Sequence, residues 1–212
     1  MTPTEITDAA RYIYNAAGSN FWTASEMLTY LLMGCGEMAR YTRCIEATLS
    51  TSTVASQQEY DWPTYAMIIK RITYAGQKLQ PITKRQYDSM NITGATVTGT
   101  PRYYYCWDRV FVLHPTPAAV GTLKVWTYNF PQTITASSTL EVPIQWHPCL
   151  VDFLVWRMAL KEKNFPIASA QQSIWQGHLQ QIRSEIALSK GSDGPGAVES
   201  EECLPFTQFG TV

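Results

Sequence analysis

The chain has 212 residues, of which 45% are hydrophobic and 16% charged, and its net charge is −1 at neutral pH. That length can bury a substantial core as one large domain or two small ones, and the composition excludes a disordered chain. A charge so near zero argues against a protein that grips nucleic acid over its whole surface.

The first helix is predicted from a capping box. Thr2 caps, Pro3 suits the first helical position, and Glu5 reaches back from the third. Ile6, Ala9, Ala10, Ile13 and Ala17 follow at helical spacing, and Gly18-Ser19-Asn20 ends the run. A second box opens at Thr23 and Glu26, with Trp22 and Met27 placed as a hydrophobic staple. Its apolar face reads Met27, Tyr30, Leu31, Gly34, Met38, Tyr41 and Ile45, and the helix is expected to end near Ala47. Glycine costs helix propensity, so Gly34 and Gly36 predict the close approach of a neighbouring backbone.

After the Ser/Thr-rich run from Ser50 to Ser56 the chain turns β-like. Met67–Tyr74 reads as a strand, with Ala75-Gly76 as a tight turn into Gln77–Gln80. Thr83–Ser89 suits a short helix and Asn91–Gly99 an exposed loop. Tyr103–Cys106 and Val110–Leu113 should pair as a hairpin around Trp107-Asp108. In Thr122–Tyr128, Leu123 and Val125 alternate with Lys124, Trp126 and Tyr128, as in a strand with two different faces.

Helical structure returns after Pro143. Pro148 fits a first turn, and Leu150, Val151, Phe153, Leu154, Val155, Trp156, Met158 and Leu160 are apolar almost all round, the pattern of a buried helix. Asn164-Phe165-Pro166 makes a corner into a last helix with a face of Ile167, Ala170, Ile174, Leu179, Ile182 and Ile186. So short a corner predicts an antiparallel pair. The expected fold is therefore α+β. Residues 1–49 and 143–190 form a bundle of about four helices, 50–142 an inserted antiparallel β lobe, and 191–212 an extended C-terminal arm. The arm carries Asp193, Glu199, Glu201 and Glu202 with no Lys or Arg, then Leu204, Pro205, Phe206 and Phe209. A polar spacer followed by apolar anchors suits a segment that orders on a partner.

Chemistry is sparse. Five cysteines, odd in number and without a C-x-x-C pair, point away from a disulfide framework or zinc site and towards a reducing compartment. Glu5, Asp8 and Arg11 stand where a signal peptide would be apolar, and no apolar run approaches about 20 residues, so a soluble cytoplasmic product is expected. His114, His147 and His178 lack the i, i+4 companion of a helical metal pair and read as turn, helix-start and surface or interface residues. Asp61, Asp88, Asp108 and Glu141 lie near expected turns; Asp152, on the most apolar helix, needs a partner or access to water and reads as a structural ion pair or a favourable charge in an early helical turn. No phosphate loop or nucleophile elbow is present, so no catalytic, metal or cofactor residue is assigned. Residues 50–142 hold eight Lys and Arg against five Asp and Glu among aromatics, a faint likeness to a single-strand binding surface that reads better as a solvated sheet face. Seven Trp and twelve Tyr are many for this length; such rings fill cores and also favour protein interfaces.

The order of segments resembles the head-to-tail adaptor proteins of tailed bacteriophages. The likeness runs through Phe21-Trp22-Thr23, Tyr60-Asp61-Trp62-Pro63, Gly99-Thr100-Pro101-Arg102-Tyr103-Tyr104 and Leu113-His114-Pro115-Thr116-Pro117. It continues with Gly121–Tyr128 before Pro131, then Val142-Pro143, Trp146-His147 and Val151-Asp152. Trp62 departs from the pattern, which has an aliphatic residue there, and the acidic arm lies outside the likeness. The resemblance implies a non-enzymatic virion protein of the neck, made in the host cytoplasm and without a membrane. Such adaptors form rings, typically dodecameric, between the portal and a tail or nozzle protein, and enclose the channel through which double-stranded DNA leaves without sequence-specific binding. The anchors Leu204, Pro205, Phe206 and Phe209 would then meet the portal. Two other classes stay open: a sugar- or receptor-binding virion module built on Tyr103-Tyr104-Tyr105, Trp107 and Trp126, and a small enzyme using Asp152, His114 or His147.

Overall fold

Two reciprocal hydrogen bonds start the chain. The Thr2 hydroxyl accepts from the Glu5 amide, and the Glu5 carboxylate accepts from the Thr2 amide at 2.8 Å. The computed structural model describes residues 1–91 and 96–190, a mixed α+β chain with five helices among them. In chain order these begin with α1 (Pro3–Ile13), α2 (Ala24–Thr42), β1 (Glu46–Ser52), β2 (Glu59–Asp61), β3 (Ala66–Tyr74), β4 (Gln77–Lys78), β5 (Gln80–Pro81) and α3 (Lys84–Met90). They continue with β6 (Thr98–Gly99), β7 (Tyr103–Trp107), β8 (Val110–His114), β9 (Thr116–Pro117), β10 (Thr122–Asn129), α4 (His147–Lys161) and α5 (Phe165–Lys190). Backbone proximity divides the described residues into two compact units: a helical one from residues 1–45 and 130–190, and a β one from Glu46–Asn129.

In the helical unit, the core gathers Ile6 and Ala10 of α1, Met27, Leu31 and Met38 of α2, Leu150, Phe153, Leu154 and Met158 of α4, and Trp175, Leu179, Ile182 and Ile186 of α5. Helix α4 is buried on most sides, as its composition requires. Helices α4 and α5 run antiparallel, because Trp146 meets Glu185, Asp152 meets His178, and Phe153 meets Trp175. The α5 face differs from the one expected. Ile167 and Ile174 are exposed, whereas Ala168 and Trp175 are buried with Leu179, Ile182 and Ile186. Over the first half of α5 the stripe is shifted by one residue because Trp175 has the most apolar surface to hide, and it fills the space against Phe153 at 5.0 Å. Gly34 also differs: a Cβ there would lie 2.7 Å from the Phe153 ring, so a side chain, not a backbone, makes the close approach, and Gly36 has nothing within 4 Å.

Helix α2 stops at Thr42, earlier than expected, because Arg43 turns left-handed at φ 55° and its amide caps onto Ala39. The next residues form β1, which pairs antiparallel with β10. Nearly every β1 residue is exposed, so no alternation of apolar residues announced this strand.

The β unit contains a four-stranded antiparallel sheet of order β1-β10-β3-β4, a four-stranded mixed sheet of order β2-β8-β7-β5, and a short β6-β9 pair. Ala75 and Gly76, both with positive φ, make the tight β3–β4 turn. Tyr103–Trp107 pairs with Val110–His114 around Asp108 and Arg109, the expected hairpin. Its core joins Ile69, Ile72, Leu79, Leu123 and Val125 with Tyr104, Phe111 and Leu113. Trp62 belongs to this core, and its indole N–H donates to the Ala66 carbonyl at 2.7 Å.

Candidate interaction surfaces

Most polar residues that could have carried chemistry have a structural partner, while Asp61 lies exposed in β2. Asp152 Oδ2 lies 3.1 Å from His178 Nε2, across α4 and α5, with both side chains about one-third exposed. This contact gives Asp152 the polar partner its apolar helix demands. His147 is buried at the start of α4; its Nε2 faces the Val142 carbonyl at 2.8 Å and its Nδ1 the N-terminal amine at 3.2 Å. His114 ends β8 in a buried position among Tyr87 and Tyr103, and desolvation lowers its pKa. Asp88 pairs with Lys84 at 3.7 Å, Asp108 sits in a hairpin turn, and Glu141 accepts from the Gln132 amide. Burial pushes the Cys35 thiol up to about 12 and raises that of Cys149, which disfavours the reactive thiolate. Among the described residues no cluster of His, Cys, Asp or Glu could hold a metal ion, and no helix is long and apolar enough to cross a membrane.

Surfaces are more informative. On the helical unit Tyr12, Ile13, Phe21, Met33, Phe165 and Ile174 are all exposed large apolar side chains. Of the three rings that could have been core or anchor, Trp175 is wholly buried and donates to Glu37 at 3.0 Å. Trp156 is partly buried beside Arg157, and Tyr41 is 40% exposed under the Arg183 guanidinium. A ring held partly open beside a cation suits an interface position. The rings that suggested sugar binding are dispersed: Tyr104 and Tyr105 are buried, Arg71 covers Trp126 at 4.1 Å, and Trp107 alone of the five stands largely exposed.

On the β unit, two neighbouring clefts share Lys78. One is lined by Arg71, Thr73, Lys78, Thr122, Lys124 and Trp126, the other by Gln77, Gln80, Thr100, Arg102 and Tyr103 around the same lysine. Sequence reading missed this gathering of cations because its members come from four separate strands and loops. The expected anchors Leu204, Pro205, Phe206 and Phe209 lie outside the described residues.

The comparisons with known proteins agree with the order of segments. No curated protein matches the chain. The family model described as SU10 adaptor protein matches residues 1–199, nearly the full length and short of the Leu204–Phe209 anchors. The chain therefore belongs to the SU10 adaptor protein family, a family of phage head-to-tail adaptors.

Proposed function

We propose that this protein is a structural virion component that forms a ring between the portal and the tail and lines the DNA exit channel. The observation that carries the reading is the family match over residues 1–199. Two features support it. Asp152 with His178 and Glu26 with Lys161 are engaged in structural pairs, and the helical unit exposes large apolar side chains such as Tyr12, Phe21 and Met33. Each subunit of a closed ring needs two different faces, each burying roughly 800 Å² in a stable interface. In this reading the helices from both ends of the chain close one bundle and the β unit is an inserted lobe. The ring is dodecameric to match the portal, the lower face meets a tail or nozzle protein, and double-stranded DNA passes without sequence-specific contacts.

The C-terminal arm would complete attachment. Its acidic stretch keeps it soluble, and Leu204, Phe206 and Phe209, with Pro205 suited to an edge strand, would fill pockets on the portal. The test is negative-stain microscopy of the purified protein alone and mixed with portal. Rings seated on portals are expected. A protein that never associates with portal at any concentration contradicts the reading, whereas a monomer in dilute solution does not, since the portal supplies the missing binding free energy.

A further inference from the structure

Strand β1 is the outermost strand of the β1-β10-β3-β4 sheet and pairs on one side alone among the described residues. The residue that follows it fixes the hydrogen-bonding parity: the Thr53 amide donates to the Gly121 carbonyl at 2.8 Å. From there the register runs through Thr51–Leu123, Leu49–Val125 and Ala47–Thr127. Hydrogen-bonded and non-bonded pairs alternate along an antiparallel ladder, so Ala47, Leu49 and Thr51 direct their amides and carbonyls to β10. Thr48, Ser50 and Ser52 direct theirs outward, where no strand meets them among the described residues. The register with β10 has no shift, and every residue of β1 except Ala47 is exposed. Apart from Glu46 at its first position the strand carries no charge, and it has neither Pro nor bulge. Those are the devices that ordinarily keep an open edge from pairing.

The side chains of this edge are complementary to themselves. Leu49 stands at the midpoint of Glu46–Ser52 and is 45% exposed. It opposes Val125, a wholly buried member of the β-unit core, and directly opposed residues share a face. Leu49 is therefore an apolar side chain left at the rim of that core. Two antiparallel copies of β1 centred on Leu49 would set Leu49 against its own copy, Thr48 against Ser50, and Glu46 against Ser52. Charge favours this arrangement: the acid meets a hydroxyl, whereas a parallel pair in register would oppose Glu46 to Glu46. The Leu49 pair is then of the non-hydrogen-bonded kind, the closer of the two, and both Thr48–Ser50 pairs exchange two backbone hydrogen bonds each.

We infer that β1 is a self-association edge: the free protein pairs with a second copy through antiparallel β1 strands related by a two-fold axis at Leu49. The pairing satisfies the outward amides and carbonyls of both strands and covers each Leu49 with the other. Its size sets its strength. A contact one strand long, about 24 Å, by one sheet thickness, about 10 Å, covers far less than the roughly 800 Å² per partner of a permanent interface, so the dimer is reversible and depends on concentration. The inference goes beyond the adaptor reading and does not depend on it. Neighbours in a closed ring meet head to tail through two different patches, whereas this contact uses one patch twice. It therefore belongs to the unassembled protein and opens before a ring closes, which a reversible contact permits.

Analytical ultracentrifugation of the full chain over a dilution series, joined to cysteine cross-linking, tests the idea. The unaltered chain should pass from monomer to dimer as concentration rises. Leu49→Lys opposes two like charges at the axis and should lower the association constant at least about tenfold, with an unchanged circular dichroism spectrum. Leu49→Ile, which keeps an apolar side chain suited to a strand, should preserve the dimer. Under a mild oxidant Leu49→Cys should form a disulfide-linked dimer, because the two Cα atoms of a non-hydrogen-bonded pair stand about 4.5 Å apart. Ser52→Cys, about 20 Å from its own copy in this register, should link no faster than Leu188→Cys on the exposed face of α5. A chain that stays monomeric at every concentration overturns the proposal, as does a dimer indifferent to Leu49→Lys. Equal linking through Ser52→Cys and Leu49→Cys also overturns it, by showing a parallel pairing. Leu49→Lys should still form rings on portals; loss of rings together with the dimer assigns the edge to a ring contact and overturns the two-fold pairing. Rings on portals with no dimer of the free chain sink this inference and leave the adaptor reading standing.

Discussion

At the scale of single residues, the helical unit is held by contacts whose removal has a calculable sign. Lys161 donates to Glu26 at 2.5 Å and to the Phe21 carbonyl at 2.6 Å, while the Tyr30 hydroxyl donates to Glu26 at 2.7 Å. The Lys161 hydrogen bond, then that from Tyr30, lowers the Glu26 pKa. A carboxylate depressed in the folded state contributes stability that is complete above its unfolded pKa of about 4.3 and lost as pH falls through the lower folded value. Lys161→Met should therefore flatten the acid side of the stability–pH profile and leave a smaller loss of melting temperature at pH 4 than at pH 7; an equal loss at both pH values contradicts this. Gly34 and Gly36 give a paired test. Alanine gains up to about 1 kcal/mol of helix propensity at either site. At Gly34 it also meets the Phe153 ring, itself wedged between Trp156 and Trp175, and overpacking costs about 1–3 kcal/mol. Thermal melts should show Gly36→Ala neutral or stabilising and Gly34→Ala destabilising. Trp175→Ala should cost more than either, about 3–5 kcal/mol, because it empties the centre of the core.

At the scale of elements, what was legible in the sequence is what local chemistry specifies. The capping box at Thr2, the short helix over Thr83–Ser89, the Ala75-Gly76 turn and the Tyr103–Leu113 hairpin depend on a few neighbouring residues, and all are present. The Thr23 box formed only in half: the hydroxyl accepts from the Glu26 amide, but the Glu26 side chain engages Lys161 and Tyr30 instead. Elements set by distant partners were not legible. Strand β1 exists because β10 offers it an edge, and its seven residues carry no apolar rhythm. The choice of Trp175 over Ile174 was decided by Phe153 on another helix. The clefts that meet at Lys78 draw on residues from Arg71 to Trp126, and only strand pairing brought them together. The β unit has its own core of Ile69, Ile72, Tyr104, Phe111, Leu113, Leu123 and Val125. Residues 46–129 expressed alone should therefore melt cooperatively; a broad, non-cooperative transition would show that this core needs the helices.

At the scale of the whole molecule, the exposed apolar side chains of the helical unit are the surface proposed to meet neighbouring subunits. The arm beyond Lys190 is assigned to the portal on composition. Truncation after Lys190 should leave the melting temperature unchanged and weaken attachment of tails to heads, measured by the yield of joined particles. Equal yields would remove the arm from the mechanism. The central claim is the neck ring, and the most direct measurement is cryo-electron microscopy of the intact particle. The account predicts copies of this chain in a closed ring between portal and tail, with residues 46–129 resolved as a β unit in each. Finding the chain as an isolated monomer in the particle, or elsewhere than the neck, would contradict it.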